Sequence, residues 1–194
     1  MGKKILIVTG SPRRGGTTAT LVKWIAEGAF DAGAEVKIVD ACRLKYKNYG
    51  CAACYGCQNS EEYRCIIKDE ASDLVASMPE YDALAFATPV YFMSFSAQIK
   101  MVIDRMFSLF KISPEKKSIE KAFTKTSFAL VASSGGDSGS GLKLLRTTME
   151  AIAGFAGQRL ICFEHPFAPG PGGEIDEDLR LREKAMDFGA KLAK

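Results

Sequence analysis

The sequence predicts an α/β fold built on a doubly wound parallel sheet, and three observations point to it. Short apolar, β-favouring runs alternate with amphipathic helical stretches along the chain, and right-handed crossovers between such runs place helices on both faces of one sheet. The first run, Lys3 to Thr9, is almost continuously apolar after its lysines, the pattern of a strand covered on both sides. The segments after the first, third and fourth runs are rich in Gly, Ser, Thr or Pro, and ligands of such sheets bind outside the strands' carboxyl ends.

Taken in order, the first strand leads through Gly10 to Gly16 into a helix over Thr17 to Ala32. Leu21, Ile25, Ala29 and Ala32 recur there at spacings of three and four, with Gly33 as the stop. Glu35 to Asp40 is the second strand, Glu70 to Ser77 a helical stretch and Tyr81 to Ala87 the third strand. Phe95 to Phe110 is amphipathic, with Ile99, Val102, Ile103 and Met106 inward. Thr126 to Ala132 reads as the fourth strand, Ser133 to Gly141 as a glycine loop, Leu142 to Phe155 as helix and Gln158 to Phe163 as the fifth strand. Pro166 to Gly173 reads as a surface loop and Ile175 to Leu192 as the closing helix.

A chain of 194 residues that is 47% hydrophobic can build one sizeable core, so residues 1–194 are expected to form a single domain carrying a cysteine-rich loop at about 48–66. With 26 basic and 23 acidic side chains the net charge is +3, which offers no nucleic-acid footprint and points to a small-molecule partner. Charged residues interrupt every apolar run well short of the roughly 18 residues that cross a bilayer. The N-terminal apolar stretch is too short for a secretion signal. No membrane association is expected, and the location is expected to be cytoplasmic.

The connection Gly10-Ser11-Pro12-Arg13-Arg14-Gly15-Gly16-Thr17-Thr18 joins the first strand to the first helix. Its glycines let the backbone curl so that amides point inward at a helix N-terminus, and Ser11, Thr17 and Thr18 add hydroxyl donors: an anion site, suited to phosphate. No Gly-Lys-Ser/Thr follows, and Pro12 stands where a dinucleotide fingerprint needs its second glycine, so ATP and dinucleotide loops are disfavoured. The plainer alternative is a glycine connection in which Thr17 only caps the helix.

Four of the six cysteines cluster as Cys51-x-x-Cys54-x-x-Cys57, then seven residues, then Cys65. In a cytosolic chain such clustering argues for metal or redox chemistry over structural disulfides. The spacing suits four thiolates around a [4Fe-4S] cluster; metal-free thiols and a four-cysteine zinc site remain alternatives. Cys42 and Cys162, outside the cluster, read as small buried residues.

Gly10-Ser11-Pro12-Arg13 with Gly16-Thr17-Thr18, followed by Ala87-Thr88-Pro89-Val90-Tyr91, Lys100 and Asp104-Arg105, resembles the NADPH-dependent FMN reductase family of flavodoxin-like proteins over almost the whole chain. The cysteine loop is similar to the compact motif of that family's iron-sulfur flavoprotein branch. The resemblance implies a flavodoxin-like, five-stranded doubly wound sheet. It implies that FMN rests its phosphate on Ser11, Arg13, Gly16, Thr17 and Thr18, and its ring against Pro89, Val90, Tyr91, Phe92 and Ser94, with Ser133, Gly135, Gly136 and Asp137 closing over it. It further implies a [4Fe-4S] cluster on Cys51, Cys54, Cys57 and Cys65, and an assembly of two or four copies with the flavin near a subunit interface.

Independently of the resemblance, Pro89 fixes its own dihedral and keeps Thr88 extended, which would hold Val90 and Tyr91 against a flat ligand. The expected activity is an oxidoreductase that takes electrons from NAD(P)H or ferredoxin through FMN to a small-molecule acceptor. No side chain is assigned as acid, base or nucleophile, because the flavin carries the chemistry. The alternative is a non-catalytic FMN electron carrier, against which the net positive charge argues. Gly136-Asp137-Ser138-Gly139 imitates a serine-protease segment, but that chemistry belongs to double β-barrels. His165 is read as a turn residue, Lys100 and Asp104 as an ion pair across one helical turn, and Asp40 as a helix-flanking carboxylate.

Overall fold

The computed structural model describes residues 2–112, 120–171, 173 and 175–194. In chain order the strands are β1 (Lys4–Thr9), β2 (Glu35–Asp40), β3 (Ala83–Tyr91), β4 (Ser94–Phe95), β5 (Phe110–Lys111), β6 (Glu120–Lys121), β7 (Ser127–Ser133) and β8 (Leu160–His165). The helices are α1 (Thr17–Asp31), α2 (Glu70–Ser77), α3 (Ala97–Arg105), α4 (Leu142–Phe155) and α5 (Leu179–Leu192). Five strands pair in parallel in the order β2-β1-β3-β7-β8. Numbered among themselves this is 2-1-3-4-5, the flavodoxin-like order, as expected.

Strand alternation splits the apolar side chains between two faces. Ile5 and Ile7 of β1, with Val131 of β7, face α1 and α5 beside Leu21, Ile25 and Phe188. Leu6, Val8, Leu84, Phe86 and Leu130 face the other way, onto Leu74, Ile99, Leu145 and Met149 of α2, α3 and α4. Both faces of the central strands are covered, so they read as unbroken apolar runs rather than alternating ones. Among the described residues no helix is long and apolar enough to cross a membrane.

Several boundaries differ from the sequence expectation, and three of them have a visible cause. The third strand runs on past Ala87 through Pro89 to Tyr91, because β1 stops opposite Ala87 and Pro89 needs to donate to no neighbour there. The chain then turns back antiparallel, with Tyr91 opposite Ser94. Phe95 therefore joins β4, Ser96 caps α3, and the regular helix ends at Arg105 before a 3-10 turn over Met106–Leu109. The closing helix begins at Leu179, since Asp178 accepts the amide of Leu181 and sets the start there.

Candidate functional site

The loops leaving β1, β3, β7 and β8 meet at the carboxyl edge of the sheet around a cleft of about 170 Å³. Ser11, Arg13, Gly16, Thr17 and Thr18 form one wall, Pro89, Val90 and Tyr91 a second, and Ser133 and Gly135 a third. Helix α1 opens on Gly16 with no side-chain cap and no acidic residue in its first turn. Its leading amides and the positive end of its dipole thus face the cleft uncompensated, a fit for an anion.

The walls are bolted together by buried polar contacts. The hydroxyls of Thr18 and Ser133 share a hydrogen bond of 2.8 Å between α1 and β7. Ser96 donates to the carbonyl of Gly10 at 2.6 Å, and the Ser96 amide donates to Thr88 Oγ1 at 3.1 Å. Gly10 is where the loop after β1 passes closest to α3: a Cβ there would lie 2.6 Å from Ile99 Cβ and 2.7 Å from Ser96 Oγ.

Four residues expected at the ring stand outside the cleft lining. Phe92 is fully exposed at the tip of the two-residue turn between β3 and β4, with φ of 45° there and 64° at Met93. The reversal of the chain that exposes Phe92 also carries Ser94 onto β4, away from the cavity. Asp137 spends its carboxylate on Ser140, accepting from its amide at 2.9 Å and its hydroxyl at 2.8 Å, and Gly136 turns with it. Asp137 therefore caps this turn; α4 itself opens on Gly141 without a side-chain cap.

A fourth wall was missed in the sequence. Ala168, Pro169 and Gly170 line the cleft, held by hydrogen bonds from the Ala168 amide to Ser134 O and the Phe167 amide to Gly136 O. Arg13 donates to Gly170 O at 3.4 Å across the opening. The signal was available: this Pro-Gly run follows the fifth strand and so leaves the same sheet edge. Within that run Gly172 lies outside the described residues.

The four clustered cysteines all line a second, smaller cavity together with Tyr55, Ile67, Arg105 and Phe107. Cys57 is buried, Cys65 half-buried, and Cys51 and Cys54 exposed. Ala53 and Tyr55 adopt left-handed conformations, with φ of 50° and 55°. The Ala53 amide donates to Cys51 Sγ at 3.4 Å. Curled backbone that aims N–H groups at sulfur is a feature of iron-sulfur loops. The enclosed space is about 20 Å³, and Cys51 and Cys54 stand on its exposed side. Among the described residues no three His, Cys, Asp or Glu side chains are arranged to hold a single metal ion.

This loop is fastened from both ends. Arg105, wholly buried, forms a two-pronged ion pair with Asp69 at 3.0 and 3.1 Å and donates to Ile67 O at 2.8 Å and Asn48 O at 3.3 Å. Burial pushes the Asp69 carboxyl upward, but Arg105 and the amides of Ser72 and Lys47 outweigh it and hold the carboxyl below its ordinary range. Burial likewise works against the Arg105 cation, while Asp69 and the neighbouring Cys65 sulfur favour it and leave its pKa raised. At the far end Lys111 donates to Cys57 O at 2.7 Å, Ser60 O at 2.8 Å and Glu62 O.

The remaining candidates take structural parts. Lys100 and Asp104 pair along α3. Asp40 accepts from the Cys42 amide and pairs with Arg43, capping a short turn. His165 ends β8, and burial pushes its pKa down. Contrary to expectation Cys42 is exposed, because it follows the edge strand β2, and Cys162 is half-buried on the opposite edge strand β8.

A family model described as NADPH-dependent FMN reductase matches residues 3–157. Two curated relatives are an iron-sulfur flavoprotein of Methanocaldococcus jannaschii, 32% identical over 102 residues, and one of Archaeoglobus fulgidus, 33% identical over 103 residues. Each match takes 53% of this chain and, respectively, 51% and 45% of the relative, so the chain spans about half the length of the curated relatives it matches. Among solved structures, an NAD(P)H:quinone oxidoreductase from Methanothermobacter marburgensis superposes with a TM-score of 0.77 at 17% identity, covering 100% of this chain and 98% of that one. An FMN-dependent NADH-azoreductase of Bacillus anthracis in complex with FMN gives 0.72 at 11% identity, covering 99% and 100%. At these identities the structural likeness speaks for the fold.

Proposed function

The chain belongs to the NADPH-dependent FMN reductase family, and from that premise we propose an oxidoreductase that binds FMN in the strand-end cleft and passes electrons from NAD(P)H or ferredoxin to a small-molecule acceptor. The observation that carries the reading is the convergence of the strand-end loops on the uncapped, acid-free start of α1. The leading amides of α1 and the hydroxyls of Ser11, Thr17 and Thr18 would take the FMN phosphate, with Arg13 swinging from Gly170 O to add positive charge. Pro89, Val90 and Tyr91 would orient the ring. Ser133, Gly135 and the Ala168–Gly170 wall would exclude water from its other side. When bound, FMN supplies the two-electron chemistry that none of these side chains can perform.

On the same reading Cys51, Cys54, Cys57 and Cys65 hold a [4Fe-4S] cluster, which would supply one-electron steps. Support comes from the thiolate set around one cavity, the N–H to sulfur contact at Cys51 and the similarity to iron-sulfur flavoproteins. The exposed trio Tyr91, Phe92 and Met93 beside the cleft suits a contact between copies in a dimer or tetramer.

Calorimetric titration of the full chain with FMN and with riboflavin tests the cleft. Ser11→Ala with Thr18→Ala should weaken FMN at least tenfold and riboflavin little; equal weakening of both would move the phosphate elsewhere. Steady-state NAD(P)H oxidation with a quinone acceptor separates an enzyme from an electron carrier, which would show no turnover.

A further inference from the structure

Resting on the cluster reading above, we propose that Arg105 is a positioning residue of the cysteine centre, its Nε–H donating to the Cys65 sulfur and so making the bound cluster easier to reduce.

A guanidinium offers five N–H donors in a fixed fork. Four directions from the two terminal nitrogens of Arg105 are accounted for by the two Asp69 oxygens, Asn48 O and Ile67 O. The fifth, Nε, is buried without a partner among the described residues. Buried orphaned donors are rare in folded proteins, and each calls for an explanation. Arg105 lines the cavity of the four cysteines while Asp69 does not, so the cavity meets the cationic end of a pair that is neutral overall. Hydrogen bonds to cluster sulfurs raise reduction potential, because they stabilise the added negative charge of the reduced form.

Lys111 makes the contrast. Its three ammonium protons match three carbonyls, Cys57, Ser60 and Glu62, which leaves none for sulfur. It fastens the backbone of the loop, and it stands outside the cavity lining. A purely structural role at Arg105 would make the two residues behave alike.

The test uses the full chain reconstituted anaerobically with ferrous iron and sulfide, in wild type, Arg105→Lys, Arg105→Met with Asp69→Asn, and Lys111→Met. Iron, sulfide and FMN content are measured, and the cluster's midpoint potential is followed by EPR during a redox titration. Arg105→Lys keeps a cation for Asp69 and so protects the fold, but removes Nε. In it, and in the double variant where that folds, the reduced-to-oxidised ratio at fixed potential should fall about tenfold, about 59 mV for a one-electron couple. Lys111→Met should leave the potential where it is. Loss of iron from Arg105→Lys with FMN content and melting temperature retained also supports the role. A fully loaded Arg105→Lys at the wild-type potential, or an equal shift in Lys111→Met, overturns the role of Arg105 and leaves the cluster intact. Wild-type protein that takes up no iron and sulfide overturns the cluster and this role together.

Discussion

The cleft at the sheet edge is walled by loops that each leave a strand of the main sheet, whereas the cysteine loop is held by side chains that reach far along the sequence. Gly16, Pro89, Gly135 and the Ala168–Gly170 run line the cleft, and each belongs to a strand end or to the loop that leaves it. The cysteine loop has no strand of the main sheet within it. Arg105 crosses 36 residues to Asp69 and 57 to Asn48, and Lys111 crosses 54 to Cys57. A site framed by strand ends inherits the rigidity of the sheet, so changing one side chain shifts one wall. A loop secured by a buried arginine and a half-buried lysine depends on each of them for its shape.

The largest effect that follows is on stability. Arg105→Ala leaves the Asp69 carboxylate buried and unpaired, a change costing about 3–5 kcal/mol. At about 2–4 °C per kcal/mol for a chain of this size, calorimetry should record a fall in melting temperature beyond that of any single change in the cleft. The pH dependence has a definite sign. Because Arg105 and two amides hold the Asp69 carboxyl below its ordinary value of 3.8, the wild type keeps this contribution above that pH and loses it as pH falls through the depressed value. In Arg105→Ala only the amides of Ser72 and Lys47 remain to oppose the burial of the Asp69 carboxylate, and protonation relieves it. The gap in melting temperature should therefore narrow below pH 3.8; a constant gap would show that the pair contributes nothing through charge.

A smaller and more local effect is expected in the cleft. Thr18→Val strips Ser133 of its buried partner, which costs about 1–3 kcal/mol. It should weaken FMN binding in a calorimetric titration while iron uptake at the cysteine loop stays at the wild-type level. Coupled loss of both would mean that the two regions are one mechanical unit.

The smallest effect probes the turn beside the cleft. Phe92 and Met93 occupy left-handed backbone that L side chains disfavour by about 1–2 kcal/mol per residue. Phe92→Asn with Met93→Gly suits such a two-residue hairpin turn and should raise the melting temperature by a few degrees. A fall instead would reveal a contact, such as a second copy, that the exposed Phe92 makes in solution.

Legibility in the sequence followed the same division. The strand and helix order was plain because its signals are local: the apolar run Ile5 to Val8, the three-and-four spacing of Leu21, Ile25 and Ala29, the stop at Gly33. The glycine loop from Gly10 to Gly16 was legible because it abuts a strand and a helix whose ends are themselves legible. Phe92 and Met93 are not turn residues by composition, so nothing local announced the reversal into β4 that leaves Phe92 and Ser94 outside the cleft lining. Asp137 turns to Ser140 within its own loop, an equally short-range choice that competes with facing the cleft.

Alone, the sequence determined the alternation of elements, the parallel sheet and the residues that could hold phosphate or iron, since hydrophobic period, Gly and Pro punctuation and cysteine spacing act over a few residues. Only the tertiary structure decided which loops meet. Strand order brings β8 beside β7 and so sets Ala168–Gly170 against the cleft. The burial of Arg105 between Asn48, Ile67 and Asp69 likewise requires α3 and the cysteine loop to pack first. Such contacts join residues dozens of positions apart, and no local pattern encodes them, because their energy arises from desolvation and charge pairing that exist only once the chain is folded.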